Sequence, residues 1–279
     1  MKHTLKVTLL IAVLFLLAQI IGLNIVNGYL EIKKVIVGNQ TIMQKEWQNL
    51  PYDVERPKIK EETSYIPIFF TILAATLILI IIIKLGLIKL WKFWFFLSVW
   101  FCLVIAFGAF INQTLALILG LLLAIAKTLR FSLILHNFTE LFIYGGLAAI
   151  FVPVLNIWSI SILLILISVY DAIAVWKTKH MVKMAKFQAK LKLFAGLFIP
   201  YAKNKTAILG GGDIGFPLMF AAVVMKDYGF YSLVISLFTT LALLILLIKS
   251  EKNRFYPAMP FISAGCFFGY LALLFIKII

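Results

Sequence analysis

The segment AILGGGDIGFPLMF, residues 207–220, places three consecutive glycines and an aspartate at the head of an apolar run. The run continues to about residue 225, close to the ~20 residues that a helix needs to cross a membrane. A carboxylate is costly in hydrocarbon, so Asp213 is by default a functional candidate. Its role depends on which other polar groups the chain brings to the same depth.

The whole chain has the composition of an integral membrane protein. Of its 279 residues, 63% are hydrophobic and 13% charged, and the mean hydropathy is +1.07. A soluble domain needs more polar surface, and continuous rather than alternating apolar runs disfavour a β-barrel. We predict an all-α polytopic protein, one membrane-embedded domain over residues 1–279. The nine predicted spans are residues 5–26, 65–83, 93–111, 114–133, 138–154, 156–176, 207–225, 229–248 and 257–276.

The charge distribution predicts the orientation in the membrane. The first run is too long for a signal peptide and lacks a cleavage site, so we expect an uncleaved first helix. If the spans alternate from a cytoplasmic N-terminus, most of the 26 basic residues fall inside, including Lys127 and the lysines from Lys177 to Lys205. This bias predicts a cytoplasmic N-terminus and an outside C-terminus. The net charge of +15 is therefore explained by the topology and by contact with anionic lipid, and we expect no nucleic-acid partner.

Two loops stand out between the predicted spans. The extracytoplasmic loop, residues 27–64, carries a short β-like run around Lys34–Val37. The cytoplasmic loop, residues 177–206, is basic and begins KTKHMVKMAKFQAKLKLF. This stretch is typical of an amphipathic helix in the headgroup region, and equally of a solvated extension of the sixth span.

A second membrane aspartate supplies a partner for Asp213. Asp171 occurs in ISVYDAIAVWKTKH near the end of the sixth span, whereas Asp213 lies near the start of the seventh. Because consecutive spans run antiparallel, both acids lie at similar depth in the cytoplasmic half. Two facing carboxylates share a proton, as in aspartic proteases. Proton- or cation-coupled transporters also use membrane acids, and depth alone leaves both functions open.

The remaining polar and cysteine residues are less informative. Glu140 is either a helix-start residue near the surface or an acid behind the site. Cys102 and Cys266 lie in apolar spans without metal-ligand spacing, so we predict no metal and no cofactor.

The glycines before Asp213 would let another backbone approach it. Pro257 and Pro260, in PAMP, would leave neighbouring backbone groups available to an extended peptide, although proline also opens ordinary helices.

Three motifs, in this order, resemble the intramembrane aspartyl proteases of the presenilin and signal peptide peptidase family. Tyr170-Asp171 matches the family's YD, Gly210–Asp213 its GxGD, and Pro257–Met259 its PAL with Met in place of Leu. The resemblance covers essentially the whole chain. The short chain and the stretch SVYDAIAVWKTKHM are most similar to the archaeal presenilin homologues, which implies an archaeal cell membrane.

The resemblance implies a protease that cleaves transmembrane helices of membrane proteins within the bilayer. Asp171 and Asp213 would be the catalytic pair. The implied substrate-binding residues are Tyr170, Gly210, Gly211, Gly212, Pro257, Ala258, Met259 and Pro260. Transmembrane-helix substrates and membrane lipid are the expected partners; no obligate protein partner is expected, and a homo-oligomer is left open. The short basic loop predicts an intact single chain. A transporter and a prepilin-type peptidase remain as alternatives.

Overall fold

A computed structural model describes residues 4–37, 40–130, 132–202, 205–251 and 255–278. Ten helices and four strands follow one another in these ranges. They are α1 Leu5–Gly28, β1 Leu30–Val37, β2 Gln40–Trp47, α2 Tyr65–Leu85, α3 Ile88–Gly108, α4 Gln113–Leu129, α5 Leu133–Phe151, α6 Ile157–Ala172, α7 His180–Lys190, β3 Gly196–Ala202, β4 Lys205–Gly210, α8 Gly211–Tyr228, α9 Leu233–Lys249 and α10 Met259–Ile278.

Apolar helices dominate the fold, as the hydropathy predicts. Seven segments in the described ranges are long and apolar enough to cross a membrane. The longest, Gly211–Lys249 with 39 residues, contains both α8 and α9, which a turn at Gly229 with φ of 59° separates. Helix α4 is apolar but has only 17 residues. A mostly helical, multi-pass membrane protein is therefore confirmed, whereas nine crossings and the orientation stay predictions.

The boundary between the fourth and fifth apolar runs differs from the prediction. Helix α4 ends at Leu129 rather than at residue 133, and α5 begins at Leu133 rather than at residue 138. The lysine assigned to this cytoplasmic turn, Lys127, is only 3% exposed. It lies inside the protein because a buried carboxylate, described below, neutralises it.

Two β-hairpins depart from the all-α prediction. Strands β1 and β2 pair antiparallel within the 27–64 loop, where only a short β-like run was expected. Strands β3 and β4 pair from Gly196↔Gly210 onward, so residues 207–210 form a strand rather than the start of the seventh span. Alternate side chains of this second hairpin, Leu197 and Ile199 opposite Leu209 and Ala207, are buried in the core. One covered face makes the strand conformation stable here.

Helix α7 is separate from the sixth span. Helix α6 passes into a π-helical turn, Ile173–Lys177, and Lys179 then takes a left-handed conformation with φ of 55°. The 177–194 stretch is therefore not a continuous extension of α6. The alternative of a headgroup helix stays a prediction.

Glycines allow the central helices to approach backbone to backbone. Helices α1, α5 and α8 contact one another, and a Cβ at Gly145 of α5 would lie 3.0 Å from the Cα of Gly22 on α1. A Cβ at Gly146 would lie 2.1 Å from the carbonyl oxygen of Cys102 on α3. Small residues at such contacts are how membrane helices gain packing energy. They bring α5 into close contact with α1 and α3.

Replacement of Gly146 by alanine is expected to lower the free energy of unfolding by about 1–3 kcal/mol, because the new methyl group meets backbone that cannot move aside. Gly215 is the matched control, since a Cβ there would meet only Tyr144 Cδ1, at 3.6 Å. Thermal unfolding of both purified variants in detergent tests this. Equal stability of Gly146→Ala and Gly215→Ala would contradict the packing described.

Candidate active site

Asp171 lies in the last turn of α6, where the helix begins to loosen. Helix α6 starts at a capping box formed by Asn156 and Ser159 and passes into a π-helical turn just after Asp171; such turns are frequent at functional sites. The Asp171 side chain is buried, with 5% exposure. A buried carboxylate in this position requires hydrogen-bond donors.

The N-terminus of α10 supplies such a donor. The backbone N–H of Met259, the first residue of α10, donates to Asp171 Oδ2 at 3.1 Å. The first N–H groups of a helix have no partner within it, so they are suited to a carboxylate. One turn away, Ser168 Oγ and Ser263 Oγ are 2.8 Å apart. The PAMP segment thus contacts Asp171 directly, a role that the sequence did not predict.

Asp213 occupies the first turn of α8. Its carboxylate lies against the backbone just before the helix, since a Cβ at Gly210 would lie 3.2 Å from Asp213 Oδ2. An acid in the first turn also interacts favourably with the helix dipole. Helices α6 and α8 are in contact, and the charges of Asp171 and Asp213 act on each other. The fold therefore brings together the two acids that depth along the sequence pairs.

The three glycines before Asp213 have different surroundings. The Gly211 N–H donates to the Ala195 carbonyl at 3.0 Å, and a Cβ on Gly211 would lie 2.8 Å from the Tyr144 hydroxyl oxygen. Gly212 is exposed, and a Cβ there would first meet the Phe216 ring at 3.5 Å. Gly211 is thus enclosed by the protein, whereas Gly212 has room for a Cβ in ordinary van der Waals contact with Phe216.

Comparison with known proteins assigns the chain to a family. The model of the family described as "Signal-peptide peptidase, presenilin aspartyl protease" matches residues 48–278, most of the chain. The chain belongs to this family. It is an intramembrane aspartyl protease, and hence a hydrolase of peptide bonds.

Two solved structures of a presenilin-family intramembrane aspartate protease share the fold of this protease. The one in the C222 space group aligns over 96% of this chain and 99% of its own, with a TM-score of 0.65 and 19% identity. The one in the P2 space group aligns over 95% and 96%, with a TM-score of 0.63 and 20% identity. Among curated protein sequences, no significant match is found.

Tyr170, predicted to contact substrate, lies within hydrogen-bond distance of α7 of the protease. Its hydroxyl lies 3.0 Å from His180 Nε2 at the start of α7, and His180 Nδ1 lies 2.6 Å from Thr178 Oγ1. Burial lowers the pKa of His180, which favours the neutral ring and leaves a nitrogen free to accept from Tyr170. The contact ties α6 to α7 beside Asp171; substrate contact by Tyr170 stays a prediction.

Two buried polar side chains contact the start of α8 or the hairpin before it. The sequence did not single out Gln19, and it left open whether Glu140 lies near the surface or behind the site. Gln19 of α1 is fully buried, and its Nε2 donates to the carbonyl of Ile214, the residue after Asp213, at 3.0 Å. Glu140 is 1% exposed and pairs with Lys127, so it is not a surface helix-start residue. An acid and a lysine in consecutive apolar runs were the available signal for this pair.

Among the described residues, no three His, Cys, Asp or Glu side chains gather into a metal site.

Gly211→Ala is expected to lower the cleavage rate of a transmembrane peptide by roughly 10-fold or more, because small displacements at a reacting centre are costly. The added methyl group would push the first turn of α8 away from Tyr144. Gly212→Ala is the matched control and is expected to keep wild-type thermal stability, since its methyl group makes only ordinary van der Waals contact with Phe216. The observation that would contradict this contrast is a Gly211→Ala enzyme with wild-type rate and stability.

Proposed function

We propose that Asp171 and Asp213 are the catalytic pair of this intramembrane protease. One carboxylate accepts a proton from water while the other donates a proton to the scissile carbonyl oxygen. The product of this step is a gem-diol, formed without a covalent enzyme intermediate. The observation that carries the proposal is that Asp171, held by the N-terminus of α10, lies within electrostatic range of Asp213. Adjacent carboxylates of this kind share a proton.

The substrate is proposed to be a transmembrane helix that unwinds beside the pair. Unwinding in lipid leaves backbone groups without partners, at a cost of several kcal/mol each. Support comes from the second hairpin: its described sheet has only two strands, so β4 keeps an unpaired edge that leads to Gly210. An unwound segment could add to such an edge. The exposed Gly212 and the prolines of PAMP lie beside the same two acids.

The proposed topology has nine crossings, by α1–α6 and α8–α10, with the N-terminus in the cytoplasm and the C-terminus outside. Between Asp171 and Asp213 the chain has eight lysines and no acid, which favours a cytoplasmic position for α7. Lys183 and Lys190 of α7 are exposed, whereas Met184 and Phe187 are half-buried. That arrangement suits anionic headgroups, so lipid is a proposed partner. This orientation suggests substrates whose N-terminus is outside.

We also propose that the protein acts as an intact single chain in an archaeal cell membrane. It would need no nucleic-acid partner and no obligate protein partner. Self-association is left open.

Asp171→Asn and Asp213→Asn are each expected to reduce cleavage of a transmembrane peptide by about 1,000-fold or more, because either change removes one half of the proton exchange. Asp227→Asn is the matched control, since Asp227 is exposed near the far end of α8. Mass spectrometry of the products in reconstituted vesicles measures the rate. Cleavage that survives either active-site substitution would refute the proposed catalytic pair. Proton-coupled uptake without cleavage would favour the transporter.

Cysteine labelling tests the orientation. With the native cysteines buried, Lys183→Cys is expected to react with a membrane-impermeant maleimide only in inverted vesicles. Lys58→Cys, at a side chain 80% exposed in the 27–64 loop, is expected to react only in intact cells. The reverse pattern would require the opposite topology.

A further inference from the structure

A buried ionic cluster lies between α4, α5 and the second hairpin. Lys127 Nζ donates to Glu140 Oε1 at 2.7 Å, to Thr139 Oγ1 at 2.8 Å and to the His136 carbonyl at 3.2 Å. Both charged side chains are 1% exposed. Three acceptors match the three protons of an ammonium group. A desolvated pair of this kind is tolerated only with such complete hydrogen bonding.

The second oxygen of Glu140 binds the start of β3. Glu140 Oε2 accepts from the Gly196 N–H at 2.9 Å and from the Tyr144 hydroxyl. Gly196 is further held through its carbonyl, 2.9 Å from His136 Nε2. Asn137 pairs with both backbone groups of Phe198, at 2.9 and 3.0 Å. Helix α5 therefore fixes the first residues of β3 through specific hydrogen bonds.

Two contacts connect this anchored strand to Asp213. Gly196 is the hairpin partner of Gly210, and a Cβ at Gly210 would lie 3.2 Å from Asp213 Oδ2. Tyr144, bound to Glu140, packs against Gly211 and Gly215 of α8. Any shift of Gly196 or Tyr144 would thus move the first turn of α8.

We propose that Glu140, neutralised by Lys127, is a positioning residue that sets the hairpin relative to Asp213. This inference rests on the proposed function, because its effect on catalysis passes through Asp213 and through a substrate strand added to β4. Glu140 itself touches neither substrate nor the reacting atoms. Because β4 would set where the substrate lies, the ionic cluster determines which peptide bond reaches the two aspartates.

A purely stabilising role predicts something different. Buried ion pairs can often be replaced by apolar residues without loss of stability. If the cluster only filled space, its apolar replacement would change the melting temperature or nothing at all, and the products would stay the same. The position of cleavage is therefore the measurement that separates the two roles.

The test compares two double variants of the full chain in vesicles. Lys127→Met with Glu140→Leu removes both charges and the acceptor for Gly196, whereas Lys127→Met with Glu140→Gln keeps a neutral acceptor. With a transmembrane peptide as probe, the Leu variant is expected to lose about 10- to 100-fold in kcat, with little change in KM. Its cleavage site is expected to move by one or more residues. The Gln variant is expected to restore most of the wild-type product pattern.

Two further variants keep the test decisive. Thr240→Val, which removes a buried hydroxyl hydrogen bond within α9, controls for a general loss of polar contacts and should leave the products unchanged. If the Leu variant does not fold, Asn137→Ala weakens the hold on β3 without touching a charge and should shift the products in the same way. Unchanged products in the folded Leu variant, or in Asn137→Ala if that variant is needed, overturn the positioning role. Activity in Asp171→Asn would instead refute the catalytic pair.

Discussion

The hydrogen bond from the Met259 N–H, at the N-terminus of α10, to Asp171 is the interaction on which the candidate site depends. A carboxylate withdrawn from water is costly unless donors replace the lost hydration, and few donors are available among apolar helices. The first N–H groups of a helix are such donors because they have no partner of their own. Binding Asp171 in this way also fixes where α10 begins. The last turn of α6 and the first turn of α10 consequently define one wall of the site.

The same constraint governs the second hairpin. Backbone that is not helical is tolerated at membrane depth only where protein covers it or water reaches it. Here the buried faces of β3 and β4 lie in the core, while Glu140, His136 and Asn137 bind the strand backbone. The polar groups of α5 thus make a short strand possible directly before Asp213. Lys127 in turn makes an ionised Glu140 tolerable.

Helix α8 combines tight packing on one side with an opening on the other. Gly211 and Gly215 lie against Tyr144, and Gln19 binds the carbonyl of Ile214. Pro217, inside the helix, cannot donate a hydrogen bond to the carbonyl of Asp213. The first turn of α8 therefore lacks one backbone hydrogen bond of the helix and is also held by contacts with α1 and α5. Such external support allows the turn to keep a defined position while Gly212 stays exposed.

The pattern of residues along the chain was sufficient to predict the membrane class and the approximate helices. It also predicts that Asp171 and Asp213 form a pair, which stays a prediction. Apolar length and antiparallel succession are local properties, so residue spacing reports them directly. The motifs Tyr170-Asp171, Gly210–Asp213 and Pro257–Met259 also pointed to the family that the comparisons then established. The prediction was wrong at the β3–β4 hairpin, where residues 207–210 were assigned to the seventh span. The residues of this hairpin are as apolar as those of a membrane helix, so hydropathy does not distinguish the two.

The surroundings of the two acids depend on contacts between residues that are far apart in the chain. The contact of Asp171 with Met259 joins residues 88 positions apart, and that of Gln19 with Ile214 joins residues 195 apart. No periodicity encodes such pairs, since they depend on which helices become neighbours. The burial of Lys127 and Glu140 also depends on which helices become neighbours. A charged residue is predicted to lie at the surface unless its buried partner is known. Hydrogen bonding across the fold, rather than local propensity, therefore set the environment of the candidate active site.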